Sequence, residues 1–181
     1  HTSVVNRNIY AKDIKMYSEK NIKELIELDK QYVWHPFTQM SDWLEEEPLI
    51  VEEGEGCTLI DVRGNRFLDG VSSLWVNVHG HRRAEIDQAV IDQLGRIAHS
   101  TFLGLSNTPA VKLAKNLVDI MPSNLKKVFY SDNGSTGVEI ALKMVFQYWQ
   151  QCQIPQPAKT RFISLVNGYH GDTIGSVSVG G

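Results

Sequence analysis

The residues best suited to chemistry lie at the start of a long helical pattern, in the segment Lys126–Trp149. Gly134, Ser135 and Thr136 follow Asn133 there. Small side chains leave the first backbone N–H groups of a helix accessible, and these unpaired donors, with the positive end of the helix dipole, suit a phosphate group. The segment predicts either a phosphate-binding helix start or a helix cap that binds no ligand.

The turn before this helix differs from two common phosphate-binding motifs. It has neither the GK[ST] ending of a nucleotide P-loop nor the three spaced glycines of a dinucleotide site. The sequence therefore favours a phosphate ligand of another kind.

A strand–turn–helix unit is predicted to position this turn. Val128–Tyr130 is a β-branched and aromatic run that predicts a strand, and Arg161–Val166 predicts a second strand after the helix. A strand–helix–strand connection of this length predicts parallel strands whose carboxyl ends face one side, where α/β sheets bind ligands. Apolar residues recur along the helix at three- and four-residue spacing, so we predict that it lies on the sheet. They are Val138, Ala141, Leu142, Val145 and Trp149.

Three further helices and three short strands are predicted from periodicity and turn residues. The predicted helices are Tyr17–Tyr32, capped by Ser18 or Asn21, then Ala84–Ile97, and a third that follows Thr108, has Pro109 at its first position and runs to Met121. The predicted strands, a β-meander, are Leu49–Glu53, Cys57–Val62 and Arg66–Asp69.

The composition excludes several classes of function. The chain has 181 residues, of which 42% are hydrophobic, and a net charge of −3. This charge does not indicate binding to nucleic acid. No apolar stretch approaches the length of a membrane span. Cys57 and Cys152 lack metal-ligand spacing and, with no export signal in the sequence, we expect reduced thiols and a cytoplasmic location.

Five motifs in the same order resemble those of the class III pyridoxal-phosphate aminotransferases, with similarity from about Gln31 to the last residue. Within the class they are most similar to the biotin-pathway branch, which converts 8-amino-7-oxononanoate to 7,8-diaminononanoate. The motifs are VWHPFTQM (Val33–Met40), SSLWVNVHGH (Ser72–His81), AHSTFLG (Ala98–Gly104), DNGSTGVEIALKM (Asp132–Met144) and NGYHGDT (Asn167–Thr173).

The resemblance implies an α/β fold of fold type I, the pyridoxal-phosphate-dependent transferases, and small-molecule substrates. Residues 1–16 would form a tail without assigned function. Residues 17–70 would hold the N-terminal helix, a substrate-wall loop and the β-meander of the small domain, and residues 71–181 the start of the parallel-sheet large domain. The family also implies a homodimer, with the loop His99–Ser106 at the dimer contact.

The resemblance also implies which residues bind the cofactor and the substrates. Gly134 and Ser135 would hold the cofactor phosphate, through backbone N–H groups and the Ser135 hydroxyl. Tyr169 and His170 are expected to contact the cofactor ring, although His170 could instead brace its loop. The substrate is expected to contact Phe37, Leu74, Trp75 and Tyr169. Glu139 is expected to serve as a structural hydrogen-bonding group because a buried carboxylate needs partners. The roles of His79 and His81 stay open.

The Schiff-base lysine of the family, and the carboxylate that pairs with the pyridinium nitrogen, are expected beyond residue 181. Lys143 lies inside the predicted helix and Lys159 in a polar connection, so neither has the expected setting. We therefore expect only an N-terminal portion of the enzyme here, without a catalytic residue of its own.

Two positions depart from the relatives that use S-adenosylmethionine as amino donor. Phe37 stands where those enzymes usually have tyrosine, and Leu74 where they have tryptophan. Losing a hydroxyl donor and an indole surface would affect a bulky adenosyl group. The donor is therefore S-adenosylmethionine or lysine, and these substitutions favour lysine slightly.

Two alternatives to the biotin-pathway function follow from the same residues. One is a class III aminotransferase that acts on another ω-amine. The motif Trp34–Pro36 and Trp75 argue against it, because they resemble the biotin-pathway branch. The other is a non-catalytic module that binds the cofactor or another phosphate ligand and lacks the lysine.

Overall fold

A computed structural model describes residues 17–180, which form two compact units, 17–99 and 100–180. The predicted tail, residues 1–16, lies outside the described residues. The first unit contains α1 (Glu19–Tyr32), α2 (Met40–Glu45), β1 (Val51–Glu55), β2 (Thr58–Asp61), β3 (Arg66–Leu68), α3 (Ser72–Trp75) and α4 (Ala84–Leu94). The second contains α5 (Thr108–Ile120), α6 (Gly134–Gln151) and α7 (Ile174–Ser178). The domain division predicted at residue 70 stays a prediction.

The predicted amphipathic helix at the start of the described chain is confirmed as α1. Its N-cap is Ser18, whose hydroxyl accepts a hydrogen bond from the Asn21 N–H at 3.3 Å, and Ile22 is its buried residue. Such a cap satisfies one of the N–H groups that a helix start leaves unpaired.

The predicted β-meander is confirmed as an antiparallel sheet in the order β1-β2-β3. Ile60 and Val62 are buried at its central strand. Asp61 organises the turn into β3 by accepting hydrogen bonds from Arg63 N, Asn65 N and Asn65 Nδ2 at 2.7–2.9 Å. Burial acts to raise the pKa of Asp61, but these hydrogen bonds leave it below its usual value.

The helices predicted in the second half of the chain are present as well. α4 begins where the sequence predicts, whereas α5 begins one residue earlier than predicted, at Thr108, and the Asn107 side chain caps it by accepting from the Ala110 N–H at 3.1 Å. Within residues 17–180, no helix is both long enough and apolar enough to cross a membrane.

The two predicted parallel strands are not formed. Neither Val128–Tyr130 nor Arg161–Val166 is part of a sheet in the described residues, whose one sheet is the β-meander. A strand is stabilised by hydrogen bonds to a neighbouring strand, and within residues 17–180 these segments have none. α6 accordingly has no buried residue, contrary to the prediction that it lies on a sheet.

Candidate cofactor and substrate site

The start of α6 combines a complete helix cap with two free donors. The Asn133 side chain accepts from the Thr136 N–H at 2.9 Å, and Thr136 Oγ1 accepts from the Asn133 N–H at 3.1 Å. Within residues 17–180, the N–H groups of Gly134 and Ser135 make no hydrogen bond. The two sequence interpretations are thus compatible, because the cap leaves the first two amides of the helix available to an anion.

The Ser135 hydroxyl is already bonded inside the protein. Its Oγ accepts from the Thr173 N–H at 3.0 Å, and lies 3.1 Å from Thr173 Oγ1 and 2.9 Å from Ser176 Oγ. These bonds join the first turn of α6 to the start of α7. Ser135 was predicted to bind a phosphate through two groups. Its backbone N–H is free in this structure, and its hydroxyl is already hydrogen-bonded.

Glu139 completes this cluster from the next turn of α6. Its Oε2 accepts from Thr173 Oγ1 at 2.7 Å and from the Ser176 N–H at 3.2 Å, and Ser176 is fully buried. The predicted structural hydrogen-bonding role of Glu139 is confirmed. Its partners Thr173 and Ser176 could not be predicted, because they follow it in the chain by more than thirty residues.

Two glycines permit this close packing against α6. A Cβ at Gly171 would lie 2.4 Å from the Ser135 Cβ, and one at Gly175 would lie 2.4 Å from Glu139 Oε2. Gly171 also has φ +113°, a conformation that other residues avoid. The NGYHGDT loop is therefore held directly against the start of α6.

Tyr169, the predicted ring-stacking residue, projects from this loop. Its side chain is 68% exposed, and its hydroxyl donates to Asp172 Oδ2 at 2.8 Å. This hydrogen bond, followed by partial burial and the Asp172 charge, raises the pKa of Tyr169. The phenol is therefore kept in its protonated, hydrogen-bond-donating form.

His170 lies differently from its neighbour Tyr169. Its Nε2 is 3.0 Å from the position that a Cβ of Gly168 would occupy. The ring lines a cavity of about 370 Å³ with Val138 and Leu142 of α6 and the segment 162–165. The role of His170, at the cofactor ring or as a brace of its loop, stays a prediction.

The predicted substrate wall lies in the first unit, where an anchored loop carries Phe37. His35 Nε2 bonds to Asp29 at 3.0 Å, Trp43 Nε1 donates to the same carboxylate at 2.9 Å, and the His35 and Trp43 rings lie 4.2 Å apart. Phe37 is 90% exposed and has φ +51°. The loop is therefore fixed at His35 while Phe37 remains available for contact.

Leu74 and Trp75 lie on a left-handed turn that the sequence did not predict. The residues of α3 have φ values of +52°, +47°, +61° and +69° in chain order. A left-handed conformation costs roughly 1–2 kcal/mol for each residue that is not glycine. Leu74 and Trp75 are 64% and 76% exposed. Local strain of this kind concentrates at functional sites.

One carboxylate holds this turn. Asp69 Oδ1 accepts from the Ser73 N–H and Oδ2 from the Ser73 hydroxyl, both at 2.8 Å, and His81 Nε2 lies 2.7 Å from Oδ2. The bonds from Ser73, followed by the bond from His81, lower the pKa of Asp69 to about 2. His81, whose role was open, here has a structural partner.

We expect the contribution of Asp69 to stability to disappear in acid. Its folded-state pKa of about 2 lies below the ordinary value of 3.8, so the contribution is complete above about pH 5 and is lost progressively as the pH falls towards 2. In urea unfolding, the difference in midpoint between the full-length wild type and Asp69→Asn should shrink from about pH 6 to about pH 3. A difference that stays constant over this range would contradict the assignment.

The structure brings together one part of the predicted site. Gly134, Ser135, Tyr169 and His170 all lie in the second unit, where Ser135 contacts the loop that carries Tyr169. Phe37, Leu74 and Trp75 lie in the first unit.

Comparison with known proteins identifies the family. A model of the aminotransferase class-III family matches residues 40–181, so the chain belongs to the class III aminotransferases. The adenosylmethionine-8-amino-7-oxononanoate aminotransferase of Staphylococcus aureus is 55% identical over 160 residues, which cover 88% of this chain and 35% of that protein. The chain thus spans about a third of the length of the curated relatives it matches.

Solved structures agree with this assignment. The crystal structure of adenosylmethionine-8-amino-7-oxononanoate aminotransferase from Methanocaldococcus jannaschii matches with a TM-score of 0.84 and 51% identity, covering 87% of this chain and 36% of that one. The ω-transaminase of Pseudomonas jessenii in complex with PMP matches with a TM-score of 0.80 and 34% identity, covering 87% and 34%. The predicted fold type I class is therefore confirmed, and class III aminotransferases use pyridoxal phosphate.

Proposed function

We propose that this chain forms the phosphate-binding and substrate-wall part of an aminotransferase that converts 8-amino-7-oxononanoate to 7,8-diaminononanoate in biotin biosynthesis. The observation that carries the proposal is the pair of free N–H groups at the capped start of α6, next to a loop that presents Tyr169. The names of relatives at 51–58% identity support this choice of substrate.

The residues present fit pyridoxal phosphate. When bound, this cofactor supplies the electron sink that transamination requires. The N–H groups of Gly134 and Ser135 would hold its phosphate, and no heavy atom lies within 4 Å of the position of a Gly134 Cβ. The Tyr169 ring offers an aromatic face to a flat ligand, with its hydroxyl oriented by Asp172.

The amino donor in this proposal is S-adenosylmethionine or lysine. The names of the relatives favour S-adenosylmethionine, whereas Phe37 and Leu74 favour lysine, because they lack the hydroxyl and the indole expected beside an adenosyl group. Phe37, Leu74 and Trp75 would form the wall at which the two donors are distinguished.

An assay of the full-length protein with 8-amino-7-oxononanoate and either donor tests the proposal. We expect 7,8-diaminononanoate, detected by mass spectrometry, with one of the two donors. Turnover of other ω-amines without this product would instead establish the ω-aminotransferase alternative. Bound cofactor without any transamination would establish the non-catalytic module.

The assembly and location of the enzyme are also part of the proposal. We propose a homodimer, with the loop His99–Ser106 at its contact, that acts in the cytoplasm. Sedimentation of the full-length protein at twice the mass of its chain would support the dimer, and sedimentation at the mass of a single chain would contradict it.

A further inference from the structure

The left-handed turn α3 is joined to the β-meander through Asp69. This residue directly follows β3, and its N–H donates to the Cys57 carbonyl at 2.9 Å, so its backbone is fixed to the sheet. Its side chain is 4% exposed and accepts from both the backbone and the hydroxyl of Ser73. The sheet thus holds the first half of the turn through one buried carboxylate.

The third partner of this carboxylate is itself rigid. His81 pairs with Gly56 in both directions, with N–O distances of 2.7 and 3.1 Å. Its ring covers Gly54, where an added Cβ would stand 2.7 Å from the ring. Because His81 is fixed at its backbone and its ring, its bond to Asp69 Oδ2 gives the carboxylate a second fixed partner besides Ser73.

The turn needs this support because its residues disfavour their own conformation. Ser73 and Leu74 have φ +47° and +61° without being glycine, and a free chain of these residues would leave the left-handed region. Such a change would redirect the side chains of Leu74 and Trp75. The carboxylate therefore determines where these two exposed apolar side chains point.

We propose that Asp69 is a positioning residue for the acceptor substrate: by holding Ser73 in a left-handed turn, it places Leu74 and Trp75 in the substrate wall. This inference rests on the proposed function. It assigns a role in substrate binding to a buried carboxylate that would act through Ser73 and not by contact with the substrate.

The test compares Asp69→Ala with Asp61→Ala in the full-length enzyme. Asp61 is a matched control because it is 5% exposed, lies in the same meander and also accepts three hydrogen bonds, none of them from α3. The two readouts are hydrogen exchange of the amides of Trp75, Val76 and Asn77, which are bonded within the turn, and the steady-state constants for 8-amino-7-oxononanoate.

We expect Asp69→Ala to accelerate exchange of these amides and to raise KM for the acceptor by about tenfold with little change in kcat, since hydrogen bonds to a charged group are lost. Asp61→Ala should leave both readouts near wild type. Asp69→Asn keeps one carbonyl acceptor and should give a smaller change in the same direction. It also tests the role if the alanine variant fails to fold.

Three results would overturn the proposal. The first is that amide hydrogen exchange is unchanged in both Asp69→Ala and Asp69→Asn. The second is that exchange becomes faster in these variants while KM for the acceptor does not change. The third is that Asp61→Ala raises KM as much as Asp69→Ala does. A wild-type enzyme that does not convert the acceptor refutes the proposed function and this inference with it, whereas conversion with an unmoved KM refutes this inference alone.

Discussion

Replacing Gly134 by proline is expected to weaken pyridoxal phosphate binding to the full-length enzyme by about ten- to a hundredfold, the effect of losing one hydrogen bond to a charged group. Proline removes the N–H of this residue and suits the first position of a helix. Asn133, which precedes it, already has the extended conformation that a following proline requires. The variant therefore removes one hydrogen-bond donor to the phosphate and keeps helix α6.

Gly134→Ala is the matched control for this substitution. Alanine keeps the N–H group, and its Cβ would meet no heavy atom within 4 Å. Titration of the cofactor-free protein, followed by absorbance, should give a near-wild-type dissociation constant for alanine and a raised one for proline. Equal affinities of the two variants would show that this amide does not bind the phosphate.

Gly171→Ala is expected to release the NGYHGDT loop from α6. The new Cβ would overlap Ser135, and alanine would be held at φ +113°. Backbone strain and overpacking together should cost the loop about 2–5 kcal/mol of stability. Hydrogen exchange of the Thr173 amide, which donates to Ser135 Oγ, measures this loss directly, and weaker cofactor binding should accompany it.

Gly137→Ala separates this effect from a general intolerance of alanine. Gly137 lies within α6, and its Cβ would have no neighbour within 4 Å. Alanine in a helix interior stabilises by roughly 0.5–1 kcal/mol relative to glycine. If both variants leave Thr173 exchange unchanged, the contact between Gly171 and Ser135 does not hold the loop.

The start of α6 could be predicted from the sequence because its determinants are local. Asn133 and Thr136 are three residues apart, and a cap depends on neighbours at that spacing. The strands at Val128–Tyr130 and Arg161–Val166 were predicted wrongly because β-branched composition describes a segment, whereas a strand also depends on a partner distant in sequence.

The structural support of the candidate site was not accessible to sequence reasoning. The left-handed turn of α3 contains no glycine to signal it, and its support comes from Asp69 and His81, which belong to different segments. Likewise, Glu139 was identified as a hydrogen-bonding residue, but its partners Thr173 and Ser176 meet it only after the chain folds. The resemblance to the family predicted the exposed site residues, and tertiary contacts determine what holds them.

The structure of the full-length enzyme with bound pyridoxal phosphate tests the central claim most directly. We predict phosphate oxygens within about 3.2 Å of the backbone nitrogens of both Gly134 and Ser135, with the Tyr169 ring over the cofactor. A phosphate bound elsewhere, with both amides in contact only with solvent or their own chain, would contradict the account.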